Sequence, residues 1–250
     1  MKTYPIPMVP GPVCVPDVVR EIYRINFGSG DLEPDYIELY CETENNLRKL
    51  MNTQNQVVIQ TGEGMLALWG ALKSCLVPGD RVLALSTGLF GLGIGDMAKT
   101  IGADVRILEF PFDETLSGLE RLEAAIAEFH PKMITVVHCE TPSGTLNPVA
   151  DVGKLKRKYG IPLLYVDGVS SIGGVSTSPD DWGIDLFLGG SQKVLSTPPG
   201  MSFISVSEPA WSIIDKVDYA GYDAIKPFRT AVADAYFPYT PYWHGTAMLN

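Results

Sequence analysis

Residues 185–200 read DLFLGGSQKVLSTPPG, and residues 202–206 read SFISV. An apolar run of strand length, Leu186 to Gly189, leads into Gly190, Ser191, Gln192 and Lys193. A Pro198-Pro199-Gly200 turn then precedes a second strand-like run, Ser202 to Val206. Lys193 is therefore expected on a short turn between two buried strands. Apolar walls disfavour its ammonium form, which leaves a neutral amine able to attack carbonyls, the chemistry of a Schiff base. Most lysines on loops are simply solvated. What separates the two readings is the pattern upstream.

From residue 57 onward short apolar runs alternate with amphipathic helical stretches. The strand candidates are Val57 to Gln60, Arg81 to Leu85, Asp104 to Phe110, Met133 to Cys139, Leu163 to Val166, Leu186 to Gly189 and Ser202 to Val206. Helical spacing marks Pro16 to Ile25, Tyr36 to Met51, Met65 to Cys75, Gly93 to Thr100, Leu119 to Phe129 and Val152 to Tyr159. Strands of Val, Ile and Leu without alternation are buried on both faces. The pattern predicts an α/β fold: a three-layer sandwich around a mostly parallel seven-stranded sheet. Ligands collect at the carboxyl ends of such strands.

The residues just after each strand are therefore the candidates. Thr61, Gly62, Glu63, Gly64 and Met65 open a helix, where backbone N–H groups can meet an anion. The third glycine of a dinucleotide fingerprint is missing, which argues against a nicotinamide site. Glu63 is out of place beside a phosphate: its side chain points away, or the ligand is not a dianion. Phe90 stands at the next strand end, suited either to stacking on a flat ring or to the core. Thr141 and Ser143 supply hydroxyls after the fourth strand. The fifth strand ends in Asp167, a carboxylate that needs a cation or donors, such as a protonated pyridine nitrogen, unless it caps the next turn.

Composition narrows the class. The chain has 250 residues, 46% hydrophobic and 19% charged, enough for one sizeable domain. A net charge of -10 with scattered lysines and arginines argues against a nucleic-acid partner. Prolines interrupt the start of the chain where a signal peptide would be apolar, and no stretch reaches membrane-spanning length. A soluble, cytoplasmic protein is expected. Cys14, Cys41, Cys75 and Cys139 lack Cys-x-x-Cys spacing, and His130, His138 and His244 lack ligand partners, so neither disulfides nor a metal site is expected.

With Asp167, Lys193, Phe90 and the loop Gly62 to Met65 together, the sequence resembles the class V aminotransferases of pyridoxal-phosphate fold type I. The alanine–glyoxylate and serine–pyruvate branch is nearest, and the likeness runs from Pro10, Gly11 and Pro12 to Tyr239, Thr240 and Pro241. The resemblance implies pyridoxal 5'-phosphate as cofactor, with Lys193 as the Schiff-base lysine and Asp167 paired to the ring nitrogen. It makes Phe90 the stacking aromatic and Thr141 the hydroxyl near the ring oxygen. Glu63, Gly64, Met65 and Gln192 fall on phosphate-cup positions, and Thr240 matches a residue given to the neighbouring subunit of a homodimer. The implied reaction moves an amino group from a small amino acid, of alanine or serine type, to a small 2-oxo acid such as pyruvate or glyoxylate. Cysteine desulfurases have a similar layout but carry histidine and glutamine where this chain has Gln192 and Ser170.

Two departures stand out. Glu63 replaces a small hydroxyl residue, a feature similar to pyridoxamine–pyruvate aminotransferase, which takes the unphosphorylated vitamer as substrate; the segment Phe237 to Pro241 is similar to that enzyme too. The family also continues into a small carboxyl-terminal domain bearing an arginine for the substrate carboxylate, and Arg229 does not match it. The expectation is an arm at 1–30, a large cofactor-binding domain at 31–250 and an absent small domain, hence an incomplete chain. A catalytically silent domain kept for assembly is the alternative from outside enzymology.

Overall fold

A computed structural model describes residues 6–250. In chain order its elements are α1 (Asp17–Glu21), α2 (Pro34–Met51), β1 (Gln56–Thr61), α3 (Gly64–Cys75), β2 (Arg81–Ser86), α4 (Leu89–Thr100), β3 (Asp104–Glu109), α5 (Leu119–Phe129) and β4 (Met133–Val137). There follow β5 (Cys139–Glu140), β6 (Thr145–Leu146), α6 (Val149–Lys158), β7 (Leu163–Asp167), α7 (Pro179–Trp182), β8 (Leu186–Gly190), β9 (Met201–Val206), α8 (Glu208–Val217) and α9 (Trp243–Leu249). Seven strands form one sheet in the order β1-β9-β8-β7-β4-β2-β3. The pairs from β8 to β3 are parallel, whereas β9 runs antiparallel to both β8 and β1. Strand β1 thus points the same way as β8, and the carboxyl ends of β1, β2, β4, β7 and β8 share one edge.

The expected three-layer α/β architecture is what the chain adopts. Every residue of β4, β7, β8 and β9 is buried, because helices cover both faces and leave no wet side for alternation to serve. Strand β3, at one edge, is only half-buried. The opposite edge, β1, is sealed by α2. Its Tyr40 hydroxyl accepts the Ile59 N–H at 2.9 Å, and Glu44 accepts the Val57 N–H at 3.1 Å. Unpaired ladder groups that would otherwise invite another chain are satisfied from within.

Most boundaries shift by a few residues from the periodicity reading, α4 starting at Leu89 rather than Gly93 and α6 at Val149 rather than Val152, and two further differences change the path of the chain. The helix expected over Pro16 to Ile25 is α1 followed by a single 3₁₀ turn, Ile22–Arg24. Neither piece buries a residue, so no apolar face holds a longer α-helix. The strand expected over Met133 to Cys139 ends at Val137. There the Asn147 amide donates to the Val137 carbonyl at 2.9 Å and draws the chain into the separate β5–β6 ribbon.

The strand that leads to Lys193, β8, is anchored at its other end. Asp185, 2% exposed, accepts the Leu164 N–H at 2.7 Å, the Lys156 ammonium at 2.7 Å and the Ser207 hydroxyl at 2.9 Å. Ser207 in turn caps α8 through the Ala210 N–H. Asp185→Ala leaves the buried Leu164 N–H unpaired and removes the carboxylate from the half-buried Lys156 ammonium, which keeps only the Gly183 carbonyl at 3.2 Å, so we expect a loss of ~3 kcal/mol in unfolding free energy. Urea denaturation read by Trp fluorescence measures it.

Candidate active site

Asp167 closes β7 between β4 and β8. Its side chain is buried, and Oδ1 accepts the Val169 N–H at 2.9 Å. Burial pushes its pKa up to about 6; the Val169 N–H works against that rise, Glu140 adds to it and Lys193 opposes it. A carboxylate held at such cost accepts a cationic N–H readily.

Lys193 lies in the turn between β8 and β9, as expected. Ser191 closes that turn: its N–H donates to the Met201 carbonyl at 3.0 Å, and its hydroxyl donates to Pro198 at 2.5 Å and accepts the Met201 N–H at 3.2 Å. The lysine is therefore presented by a rigid loop. Burial lowers its pKa from the ordinary lysine value, while the charges of Asp167 and Glu63 pull the other way. One wall comes from the amino-terminal segment, which the strand-end rule did not select. Gly11 has φ +153°, and a Cβ there would sit 2.5 Å from Lys193 Cδ and 2.8 Å from the Gln192 carbonyl. Only glycine lets the arm pass this close.

Glu63, at the amino end of α3, points into the cluster. Its carboxylate accepts the Gln192 amide at 3.0 Å. Gln192 Oε1 is buried and has no hydrogen-bond partner among the described residues. Behind the pair, β8 and α3 close up: a Cβ on Gly190 would lie 3.2 Å from Gly64 Cα, and one on Gly64 would lie 3.0 Å from Val169. Glycine at both positions lets the first N–H groups of α3, which lack intrahelical partners, reach the same edge.

The Thr141 hydroxyl lies 2.5 Å from the Ser170 hydroxyl, tying the ribbon turn to the loop after Asp167. His138, missed by the strand-end reading, is buried in that seam. Its N–H donates to the Asp167 carbonyl at 2.8 Å, and its ring meets the Ser171 hydroxyl at 2.9 Å; burial lowers its pKa to about 4. Burial thus favours the neutral imidazole. Phe90 is half-buried in the first turn of α4. Two candidates fall elsewhere. The Met65 side chain lines an open hollow of about 590 Å³ with Trp69, Lys73 and Tyr222, leaving only its backbone at the cluster. Thr240 is exposed and lines a small pocket with Tyr36, Thr61 and Met201. Arg229 is held on α8 by Asp215 and Glu208.

A parallel-sheet edge presenting a desolvated lysine opposite a buried aspartate is the arrangement of the pyridoxal-phosphate enzymes of fold type I. Residues 12–246 match the family described as Aminotransferase class-V, and the chain belongs to it. The family works with pyridoxal 5'-phosphate. The chain is 36% identical over 210 residues to a pyridoxamine–pyruvate transaminase of Mesorhizobium japonicum, covering 83% of this chain and 52% of that protein. The crystal structure of pyridoxamine–pyruvate aminotransferase from Mesorhizobium loti superposes with a TM-score of 0.90 at 32% identity, covering 98% of this chain and 63% of that one. An alanine–glyoxylate aminotransferase from Nostoc sp. gives 0.90 at 29%, covering 100% and 68%. The chain thus spans between about half and two thirds of the length of these relatives. No helix among the described residues is long and apolar enough to cross a membrane.

Proposed function

We propose that the protein is a pyridoxal 5'-phosphate-dependent aminotransferase that moves an amino group from a small amino acid to a small 2-oxo acid. The observation that carries this reading is that Lys193, in the turn after β8, and Asp167, at the end of the adjacent parallel strand β7, stand at the same edge of the sheet. The residues fit the cofactor: Lys193 suits its aldehyde, Asp167 its ring nitrogen, and the start of α3 with Gln192 its distal substituent. When bound, the cofactor supplies an electron sink for the substrate carbon. The protein's own part is to orient and to move protons. Asp167 would accept an N–H from the ring nitrogen and so favour its protonated form. Lys193 Nζ, its pKa lowered by burial, would take a proton from the substrate carbon and deliver it to the cofactor carbon that had been the aldehyde. The Ser191-braced turn limits where that amine can reach, and Gly11 limits access from the arm side.

Further parts of the reading are a homodimer in which Thr240 completes the neighbour's site, an arm at 1–30 and a cofactor-binding domain at 31–250. A cytoplasmic protein with small-molecule partners accords with the net charge of -10.

A second reading, use of the unphosphorylated vitamer as substrate, is favoured by one observation. Glu63 faces the cup, and beside it Gln192 Oε1 is a second, unpaired acceptor. Two acceptors suit a hydroxymethyl donor; a phosphate dianion has no donor to give them. Glu63→Ser is expected to raise affinity for pyridoxal 5'-phosphate over pyridoxal by at least about tenfold, since one nearby charge at protein dielectric is worth more than that. Paired titrations by absorbance measure the ratio.

The decisive experiment is borohydride reduction in the presence of each vitamer, followed by peptide mass analysis. Vitamer mass on Lys193 supports the proposal. No added mass on Lys193 with either vitamer refutes it.

A further inference from the structure

Glu140 is fully buried, and its acid group is placed to control the turn that carries Phe90. Oε1 accepts the Gly91 N–H at 2.7 Å and Oε2 accepts the Phe90 N–H at 3.2 Å. Those are early N–H groups of α4, a twelve-residue helix whose N-cap, Gly88, has no side chain to offer. Glu140 therefore caps this helix from another strand, with its negative charge at the positive end of the helix dipole. The two donors satisfy both oxygens of this fully buried side chain.

The turn is shaped around it. A Cβ on Gly88 would lie 2.9 Å from the Glu140 carboxyl carbon, and one on Gly91 would lie 2.7 Å from the Leu85 carbonyl and 3.3 Å from Glu140 Oε1. Neighbouring bonds brace the same loop: Ser86 to the Gly88 carbonyl at 3.0 Å, and Asn147 to Thr87 at 2.8 Å. Phe90 is the residue whose backbone this carboxylate grips, and Thr141 is the next residue along the chain from Glu140. One buried acid thus links two candidate positions of the site.

We propose that Glu140 is a positioning residue that fixes the Phe90 backbone, and through it the aromatic ring, at the edge where Lys193 and Asp167 stand. The inference deepens the aminotransferase reading and rests on it for the ring's contact with a vitamer; the grip on the backbone stands independently.

The test has two arms. In the apoprotein, Glu140→Gln should speed amide hydrogen exchange at Phe90 and Gly91 about tenfold while the last turn of α4, Met97 to Thr100, is unchanged. In the second arm, dissociation constants for pyridoxal 5'-phosphate are compared in a double-mutant cycle. Glu140→Gln is expected to weaken binding about tenfold in the otherwise unaltered protein and less than about twofold in the Phe90→Ala background. An equal loss in both backgrounds, or unchanged exchange at the two amides, overturns the proposal. Should Glu140→Gln not fold, Glu140→Asp, which keeps the charge but shortens its reach, enters the same cycle with the same deciding contrast. A protein that bound no vitamer would refute the aminotransferase reading, and the exchange arm alone would then decide the role of Glu140.

Discussion

Lys193→Ala is expected to yield a folded protein that takes up no vitamer mass on borohydride treatment and turns over at least about 10⁴-fold more slowly. The magnitude follows from the two tasks proposed for one amine, holding the cofactor and shuttling the proton; neither Asp167 nor Glu63, both carboxylates, can replace a nucleophilic amine. Stability should move little, within about 1 kcal/mol. The lysine is only half-buried, burial disfavours its charge, and the turn is closed by Ser191 rather than by the lysine. Single-turnover kinetics and a thermal melt on one preparation separate these outcomes. Full turnover in the variant would remove Lys193 from the chemistry.

Asp167→Asn should act in opposite directions on activity and stability. Turnover is expected to fall ~10³-fold, because an amide leaves the ring nitrogen without a compensating negative charge. The apoprotein at pH 7 should gain stability. The folded-state pKa, about 6, lies above the ordinary carboxylate value of 3.8, so the folded chain holds the proton more tightly than the unfolded one. Stability therefore falls as pH rises from about 4 to about 6 and stays low above that, a cost of roughly 2–3 kcal/mol at neutral pH. Asparagine keeps the Val169 N–H satisfied and carries no charge to desolvate. The two proteins should have matching denaturation midpoints below pH 4 and diverge above pH 6, with the variant the more stable. A variant less stable at pH 7 would mean that Asp167 already has a compensating cation in the apoprotein.

Much of this molecule was legible from periodicity. Runs such as Leu163 to Val166 and Leu186 to Gly189 are apolar without alternation, and only a doubly covered strand tolerates that. The strand-end rule then placed Lys193, Asp167, Glu63, Thr141 and Phe90 on one edge, which is where they lie. It did not locate α8, although Ser207 and Pro209 are an N-cap and early-turn signal. Nor did it select Gly11, His138 or Glu140 for the site. Each acts through a contact with a residue distant in the chain, Gly11 with Lys193 and Glu140 with Phe90, and no local pattern encodes such a meeting. The direction of Glu63 was likewise undetermined until Gln192, 129 positions away, proved to be its partner.

By itself, then, the order of residues determined the layered fold, the strand-end edge and the two groups on it that are proposed to carry the chemistry, because burial on both faces and charge at a strand end are local properties of the chain. Tertiary structure alone decided which way Glu63 faces, what wall the arm builds over Lys193 and which acid grips the Phe90 turn. Those depend on distances between segments far apart in sequence, and such distances exist only once the core has closed.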